Sequence, residues 1–500
     1  MTRAKAIMVW GTSSGAGKSF VTTALCRWAA RRGVDVAPFK AQNMSNNARV
    51  VPGLEGSFGE IGAAQYFQAL AAGLTPSVDM NPVLLKPERD TASQVIVQGR
   101  VDAAMSQLPW RERSIHLAET ARESLARLQS RHELLVIEGA GSPAEINLAA
   151  HDYVNLQTAR WSSARCLLVT DIDRGGAFAH LFGTWSMLPD DLKPALTGFV
   201  LNKFRGDAAL LAPGPAQLLA LTGVPVVGVL PMRRDHGLPE EDGVFDAADT
   251  GPSSACDIRL RIAVVTYPRI SNLDEFQPLR QVPGVRLCWA RTAADLDGAD
   301  WIILPGSKQV SGDLAWLRSH GMAAAISRHA AAGRAVLGVC GGLQMLGVAL
   351  ADPMGYDGAP GTALGLALLP LATHYRADKR VLQTTVHFGA THGAWAGLAD
   401  TAAAAYEIRQ GLTEPVALDS ISTVVLKDAQ GTPIGWQAGS VLGVYAHGLF
   451  ESPAVLRALF GAAAPTLDHS FDRLADMLEA HFTPGWLDCL LPIRLKQTLR

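Results

Sequence analysis

The chain has little charge and no ordered cysteine pattern. Charged residues make up 18% of its 500 residues, and the formal net charge is −2 without a strong asymmetry. A nucleic-acid-binding protein normally carries a basic face, so no nucleic-acid partner is expected. The six cysteines are scattered without a CxxC pair, which argues against both a zinc site and a disulfide framework.

Long apolar runs are also missing. No stretch reaches the length that spanning a bilayer requires, and the apolar run after residue 5 is too short for a signal peptide. A cytoplasmic location without a membrane span is therefore expected. Hydrophobic residues nevertheless form 48% of the chain, and glycine is plentiful. This composition is typical of close-packed α/β layers with tight turns between strands and helices.

Short apolar strands alternate with helices in the first half of the chain. This spacing predicts a parallel, doubly wound open sheet. A helix is predicted at Lys18–Arg31, directly after the first strand. The predicted strands are 6–10, 34–37, 133–138, 166–171, 198–202 and 226–230.

The α/β rhythm stops at 247–257, where small and polar residues predict a linker. It restarts with predicted strands at 261–266, 300–304, 335–339 and 441–445. The sequence therefore predicts two doubly wound open-sheet domains, one at 1–247 and one at 258–455. A helical tail is expected at 456–500.

A glycine-rich loop follows the first predicted strand and opens the first predicted helix. Its glycines let backbone N–H groups turn toward a phosphate, and the helix N-terminus adds partial positive charge. Lys18 can reach the outer phosphates of ATP, and Ser19 can ligate Mg²⁺. Five residues rather than four separate Gly11 from Gly17, so the loop is a variant. The candidate ATP-binding residues of the loop are Gly11, Thr12, Gly15, Gly17, Lys18 and Ser19.

Four further residues are candidates for the same site. Glu138 ends a predicted strand beside a glycine-rich segment, where a carboxylate can hold Mg²⁺. Glu60 is a candidate second Mg²⁺ ligand, and Lys40 can face the transferred phosphoryl group. For Lys40 and Glu60, an ordinary surface charge is an equally good interpretation. Asn202 ends a late strand, at a place where nucleotide-binding α/β proteins often contact the base.

The second strong motif is Gly-Val-Cys-Gly-Gly at 338–342. Glycines on both sides of Cys340 are typical of a nucleophile elbow, a cramped turn that exposes the thiol between a strand and a helix. The N–H of Gly341 can donate to an oxyanion, and the N–H of Gly306 in the turn at 304–308 is the candidate second donor. An ordinary β-turn is an equally good interpretation of the segment at 304–308. The alternative, a buried structural cysteine, would not need these glycines.

A catalytic thiol needs an acid–base partner, which is usually histidine. His447 stands out among 13 histidines because it follows the late predicted strand at 441–445. From a strand end it can reach an elbow formed earlier in the same sheet. His387 and His392 are interpreted as solvated or structural.

Cys340 in its turn, the segment at 304–308 and His447 together resemble the class I glutamine amidotransferases. In that family the cysteine attacks the side-chain amide of glutamine, ammonia leaves, and water releases glutamate from the thioester. Many members carry His-x-Glu, with the glutamate orienting the histidine. Position 449 here is Leu, so Glu451 or a backbone group is the candidate substitute.

The phosphate loop, with Thr12 after its first glycine, resembles the dethiobiotin synthetase group, whose members phosphorylate a carboxylate with ATP. Both sites are accompanied by distinctive segments at 37–47, 59–62, 80–87, 138–147, 171–176 and 202–207. Together they resemble the cobyrinic and cobyric acid synthase branch, and the likeness to the cobyric acid synthase family runs nearly end to end. Arg409 departs from the histidine common in that family, and it is expected to lie away from the reaction.

This resemblance implies an ATP- and glutamine-dependent amide ligase. The implied substrate is adenosylcobyrinic acid a,c-diamide, with amidation of its b, d, e and g carboxylates. Each carboxylate would be phosphorylated by ATP with Mg²⁺ and would then receive a nitrogen from glutamine. Because acyl phosphates hydrolyse and ammonia is protonated in water, a sheltered path between Cys340 and Lys18 is expected.

Three other interpretations compete with this one. Cobyrinic acid a,c-diamide synthase has the same layout with fewer target carboxylates, and the segments at 42–47 and 171–176 argue against it. A partition-type P-loop ATPase would have no use for the Cys340 elbow. A non-catalytic glutamine sensor would keep the pocket without needing Lys18.

Overall fold

The structure is a computed structural model that describes residues 4–89, 92–233, 237–238, 258–416, 422–462 and 466–491. The predicted linker at 247–257 lies outside the described residues, and so does the end of the predicted tail at 492–500. Within the described part, the two largest sheets have six and eleven strands. These sheets are the centres of two α/β domains.

A parallel sheet of six strands forms the first domain, which confirms the predicted fold class. Its strands are β1 (Lys5–Gly11), β2 (Val36–Phe39), β3 (Leu134–Glu138), β4 (Arg165–Asp171), β5 (Leu196–Phe204) and β6 (Val226–Pro231). They are arranged in the order β6-β5-β4-β1-β3-β2, and each begins within two residues of its predicted position. The carboxyl end of the interior strand β1 therefore faces the crevice where open α/β sheets bind ligands.

Helices cover both faces of this sheet, and for this reason β2 and β3 are buried along their whole length. The helix at Lys18–Arg31 has the predicted bounds. No helix in the described ranges combines the length and the apolarity that crossing a bilayer requires. The helices are α1 (Lys18–Arg31), α2 (Ala63–Ala71), α3 (Ala103–Gln107), α4 (Trp110–Arg131), α5 (Thr158–Ser162), α6 (Ala177–Met187) and α7 (Gly214–Thr222).

Two small sheets are inserted between β2 and β3, and they were not predicted. Polar residues at 42–47 hide the apolar alternation that marks a strand. The inserted strands lie against the second domain, where Gln383 Nε2 donates to Val50 O at 2.7 Å. Their bounds are Gln42–Met44, Ala48–Pro52, Phe58–Gly62, Val83–Arg89, Ala92–Val97 and Arg100–Val101.

The second domain contains a mixed sheet rather than a wholly parallel one. The four predicted strands lie in its parallel half, and the mostly antiparallel half was not predicted. Its strands are β7 (Leu260–Val265), β8 (Val285–Ala290), β9 (Trp301–Leu304), β10 (Ala335–Val339), β11 (Ala349–Asp352), β12 (Gly361–Leu364), β13 (Leu371–Phe388), β14 (Ala402–Pro415), β15 (Thr423–Lys427), β16 (Pro433–Ala438) and β17 (Val441–Val444). The order is β8-β7-β9-β10-β17-β16-β15-β13-β11-β12, with β14 paired to β13.

The helices of the second domain are α8 (Val310–Ser319), α9 (Met322–Ala331), α10 (Gly341–Leu346) and α11 (Pro453–Phe460). The predicted boundary at 456 falls inside α11. Val455 and Leu456 belong to the core of the second domain, so this helix is part of that domain.

The last described α-helix, α12 (Leu467–His481), packs on the first domain. Its apolar face, with Phe471, Leu474 and Leu478, is buried in the same cluster as residues of α1. An ion pair between Arg27 Nε and Asp472 Oδ1, 2.7 Å long, borders this contact. The chain therefore returns to its first domain after completing the second, rather than ending in a separate tail.

We expect Leu474→Ala to destabilise the first domain, because the side chain is 2% exposed and its removal leaves a cavity between α1 and α12. The free energy of unfolding should fall by about 2–5 kcal/mol, measured by urea denaturation of the full chain. The control is Leu221→Ala in α7 of the same domain, where the leucine is 62% exposed and the change should be less than about 0.5 kcal/mol. An equal effect of both substitutions would contradict this packing.

Candidate active sites

The phosphate loop is held in place from the end of β5. Gly17 precedes α1 with φ 104°, and a Cβ at this position would lie 2.0 Å from Asn202 Nδ2. Conformation and space therefore both require glycine. Asn202 Nδ2 donates to Ala16 O, and Lys203 Nζ donates to Gly15 O, each at 3.0 Å. The predicted base-reading residue thus supports the loop backbone directly.

Lys18 and Ser19 lie at the start of α1 in contact with the end of β3. Lys18 Nζ donates to Ser13 O at 3.0 Å and to Gly141 O at 3.1 Å, so its side chain bridges two loops. It passes over Gly11, where a Cβ would approach it to 3.0 Å. A hydroxyl pair between Thr12 and Thr170, 3.0 Å apart, ties the loop to β4. The predicted ATP-binding residues of the loop therefore lie around a single crevice.

Glu138 is buried beside this loop and accepts hydrogen bonds from Ser19, Lys40 and Gln68. Ser19 Oγ lies 2.9 Å and Lys40 Nζ lies 2.8 Å from Glu138 Oε1. Burial raises the pKa of Glu138, but the charge of Lys40 and these hydrogen bonds outweigh burial and lower it. A hydroxyl and an ionised carboxylate beside a phosphate site are the oxygen donors that Mg²⁺ accepts, so Ser19 and Glu138 fit this ion.

Glu60 does not join this group. Its carboxylate is buried, with one oxygen paired to Lys86 and the other to Lys379 of the second domain. Burial raises its pKa, but the two lysines outweigh burial and lower it to about 2. Two ammonium partners occupy both oxygens, which removes Glu60 from the candidate metal ligands. It is instead part of an ion-pair cluster between the domains.

Cys340 occupies the turn between β10 and α10. Its φ of 52° and ψ of −106° are sparsely populated for a residue with a side chain, and such strain is common at nucleophile turns. A Cβ at Gly338 would lie 2.7 Å from the backbone of Gly342, and a Cβ at Gly342 would lie 1.9 Å from Leu304 O. Both glycines are therefore required by close backbone approaches. The Cys340 thiol donates to Ile408 O at 3.4 Å.

The backbone N–H of Ser307, rather than that of Gly306, is directed away from its strand ladder. Lys308 N donates to Arg269 O at 2.8 Å, in the antiparallel pairing of Gly306–Ser307 with Ile270–Ser271. Because hydrogen-bonded and non-hydrogen-bonded positions alternate, Ser307 N lies outside the ladder. A Cβ on Gly341 would lie 2.7 Å from Ser307 N. The geometry therefore favours Ser307 as the second donor beside Gly341.

His447 follows β17 and is 1% exposed. Its Nδ1 lies 2.8 Å from Glu275 Oε1, and Gly448 N donates to Glu275 Oε2 at 2.9 Å, so both carboxylate oxygens are engaged. Burial lowers the pKa of His447, but the charges of Glu275 and Cys340 outweigh burial and raise it to about 10. The raised pKa keeps the ring protonated between Cys340 Sγ and the Glu275 carboxylate.

Glu275 is the acid that the sequence reading missed. It precedes His447 by 172 residues, whereas the acid of the common His-x-Glu pattern follows its histidine. Glu451, the residue considered there, pairs with Arg49 of the first domain. The sequence offered one sign of this acid. Two adjacent acids, Asp274 and Glu275, lie shortly after the first strand of the same domain.

Both domains line the cavity into which Cys340 opens. Asn46 and Lys86 come from the first domain, and Gln344 and Arg409 come from the second. The prediction that residue 409 lies away from the reaction is therefore corrected. Ile408 O accepts from the Cys340 thiol, and Arg409 lines the same cavity.

Comparisons with known proteins assign both domains. Residues 7–243 match the family model of the CobQ/CobB/MinD/ParA nucleotide binding domain, and residues 261–455 match the CobB/CobQ-like glutamine amidotransferase domain. A nucleotide-binding domain joined to a glutamine amidotransferase domain defines the class. The molecule is an enzyme, an ATP-dependent glutamine amidotransferase ligase.

Relatives over the whole length identify the family. The chain is 61% identical to a cobyric acid synthase of Leptothrix cholodnii, over 98% of this chain and 97% of the relative. It is 60% identical to one of Methylibium petroleiphilum, over 98% and 97%, and 59% identical to one of Variovorax paradoxus, over 97% and 99%. The chain therefore belongs to the cobyric acid synthase family.

We expect Glu275→Gln to lower the kcat of glutamine hydrolysis by about 10²-fold or more, because the neutral amide no longer orients and charges His447. Glu451→Gln is the matched comparison, since it removes the acid considered from the sequence and leaves the Glu275–His447 contact in place. Steady-state glutamate release measures both variants. A larger loss in Glu451→Gln than in Glu275→Gln would contradict the assignment of the acid.

The pH dependence of glutamine hydrolysis should also respond to Glu275. With the pKa of His447 raised to about 10, the rate should decline only as the pH rises toward that value and the imidazolium loses its proton. Removal of the carboxylate in Glu275→Gln lowers this pKa, so the alkaline decline should begin at lower pH. The measurement is kcat against pH for both forms. If kcat declined at the same alkaline pH in both forms, Glu275 would not be the group that raises the pKa of His447.

Proposed function

We propose that the chain converts adenosylcobyrinic acid a,c-diamide to adenosylcobyric acid, by ATP- and glutamine-dependent amidation of the b, d, e and g carboxylates. The observation that carries this proposal is the presence of two complete reaction centres in one chain. A phosphate loop with Lys18 and Ser19 lies in the first domain. A Cys340, His447 and Glu275 constellation lies in the second.

The second domain supplies the nitrogen. Cys340 reacts as a thiolate, with the proton of the Cys340–His447 pair held on His447. Its Sγ attacks the side-chain carbonyl carbon of glutamine, and the N–H groups of Gly341 and Ser307 donate to the oxyanion that forms. The proton held by His447 passes to the leaving nitrogen, which departs as ammonia and leaves a thioester. Water then attacks the thioester and gives one proton to His447, which restores the Cys340 thiolate beside the protonated histidine. The new carboxyl group loses the second proton to solvent and leaves as glutamate.

The first domain activates the carboxylate. The loop backbone and Lys18 hold the phosphates of ATP, and the γ-phosphoryl group passes to a carboxylate oxygen of the corrin, forming an acyl phosphate and ADP. Ammonia attacks the acyl carbon, and phosphate leaves. Mg²⁺, held by Ser19 and Glu138, supplies charge neutralisation at the phosphates when bound. Lys40, paired with Glu138, lies on the same side of the crevice.

The cavity at Cys340 is the start of the ammonia path. Its wall includes Asn46 and Lys86 of the nucleotide-binding domain. Lys86 in turn contacts Glu60, which also binds Lys379 across the domain boundary. We therefore propose that ammonia leaves the glutaminase cavity toward the first domain rather than directly to solvent.

We place this chemistry in the cytoplasm, where ATP and glutamine are supplied together. The cysteines within the described ranges are all free thiols, which agrees with a reducing compartment.

Two substitutions test the division of labour. Cys340→Ala should abolish glutamine-driven amidation and leave ammonium-driven amidation intact, because only the nitrogen source is lost. Lys18→Ala should abolish amidation with either nitrogen source, because carboxylate activation is lost. Mass spectrometry of the corrin product, incubated with ATP and Mg²⁺, counts the amides formed. Amidation by Cys340→Ala with glutamine, or by Lys18→Ala with ammonium, would contradict the proposal.

A further inference from the structure

Arg49 is a buried cation between the two domains. It lies on the inserted strand Ala48–Pro52 of the first domain and is 1% exposed. Its guanidinium forms ion pairs with Asp274 and Glu451, both in the second domain. A buried charge is stable only when its partners are held in place, so this contact fixes the position of Asp274.

The first connection from Arg49 to the glutaminase runs through the chain itself. Asp274 directly precedes Glu275, whose carboxylate holds both His447 Nδ1 and the N–H of Gly448. Any shift of Asp274 moves the backbone that carries Glu275. The ion pair between Arg49 and Asp274 therefore fixes the segment from which the acid reaches the histidine.

Backbone contacts of the neighbouring residues form a second connection. Ala48 N donates to Asn272 Oδ1 at 3.0 Å, and Leu273 N donates to Asn47 Oδ1 at 3.1 Å. The side-chain nitrogen of Asn272, Nδ2, lies 3.3 Å from His447 Nδ1. Residues 47–49 of the first domain thus hold three consecutive residues, 272–274, of the second.

A third connection uses aromatic rings. The guanidinium carbon of Arg49 lies 5.1 Å from the ring centroid of Tyr406, a favourable cation–π distance. The Tyr406 ring stacks on His447 with centroids 5.2 Å apart and an interplanar angle of 19°. The backbones of the same two residues also exchange hydrogen bonds. Arg49 therefore touches both the acid-bearing segment and the ring that lies on the histidine.

We propose that Arg49 is a positioning residue for glutamine hydrolysis, through which the nucleotide-binding domain holds the Glu275–His447 pair in its reactive arrangement. This inference rests on the proposed function and extends it. The glutaminase site is complete only when residues 47–49 of the first domain contact residues 272–274 of the second. Lys40, which contacts Glu138 at the phosphate site, begins the same stretch of chain. One segment therefore connects the two reaction centres.

The charges around Arg49 explain why loss of its guanidinium would change the electrostatic surroundings of His447. The groups that face this region are Asp274, Glu275, Glu451, Tyr66, Tyr406, His447 and Cys340. Burial raises the pKa of Asp274 and of Glu451, and the charge of Arg49 acts against burial at both. Without the guanidinium, three carboxylates would share one buried region with the imidazolium as the remaining cation among these groups.

The test compares Arg49→Met, Arg49→Lys and Asp274→Asn in the full chain. In Arg49→Met the kcat of glutamine hydrolysis should fall about 10²-fold, the scale of a misplaced catalytic group. The KM for glutamine and the ammonium-driven amidation should stay within about threefold of the unsubstituted chain. Arg49→Lys keeps the charge but lacks the planar guanidinium that reaches both carboxylates through Nη2 and lies against the Tyr406 ring, so an intermediate kcat is expected.

Asp274→Asn removes the charge of the other partner in the Arg49–Asp274 ion pair without a large change in side-chain volume. It should lower the kcat of glutamine hydrolysis as Arg49→Met does. Because both substitutions break one contact, the double variant should lose little beyond either single variant. The control is Arg127→Met, which breaks an ion pair with Asp79 inside the first domain, and its glutamine hydrolysis should be unchanged.

Unchanged glutamine hydrolysis in both Arg49→Met and Asp274→Asn would overturn the proposal. An equal fall of glutamine hydrolysis and ammonium-driven amidation in these variants would also overturn it, because that result indicates a general structural role. Failure of the proposed function is distinguishable, since the unsubstituted chain would then release no glutamate or form no amide.

Discussion

A guanidinium buried between two domains sets the relation between the two reaction centres. Arg49 belongs to the first domain, and its carboxylate partners, Asp274 and Glu451, belong to the second. Separating the domains would leave buried or partly buried charges without partners, which is costly. The same few residues border His447, so the contact that joins the domains also defines the glutaminase. Domain docking and catalytic geometry therefore depend on one set of interactions.

The phosphate loop and the turn at Cys340 each contain a glycine at a point where neighbouring atoms leave no room for a side chain. Gly17 allows Asn202 to reach the phosphate loop, and Gly342 allows α10 to start against Leu304 O. In each case the loop follows the carboxyl end of an interior parallel strand, where ligands of open sheets bind. The inserted strands between β2 and β3 then bring residues of the first domain to the cavity at Cys340.

The features predicted correctly from the sequence are local ones. The strands of the first sheet, helix α1 and the turn at Cys340 each depend on residues close together in the chain, and the structure confirms them. Glu275 was missed because it meets His447 only through the folded sheet. Gly306 was predicted in place of Ser307. Adjacent residues of a strand direct their N–H groups to opposite sides, so an error of one residue selects an N–H that points the wrong way. Glu60 carries no local sign that its partner, Lys379, comes from the other domain.

An isotope competition shows whether nitrogen passes from glutamine to the corrin within one molecule. The unsubstituted chain would be incubated with ATP, Mg²⁺, the corrin diamide, glutamine labelled with ¹⁵N in its side-chain amide, and increasing unlabelled ammonium. If ammonia passes from Cys340 to the phosphate site along the domain boundary, the ¹⁵N content of the new amides should stay nearly independent of ammonium up to moderate concentrations. A label that falls in proportion to the ammonium in solution would show that the two sites exchange nitrogen through solvent.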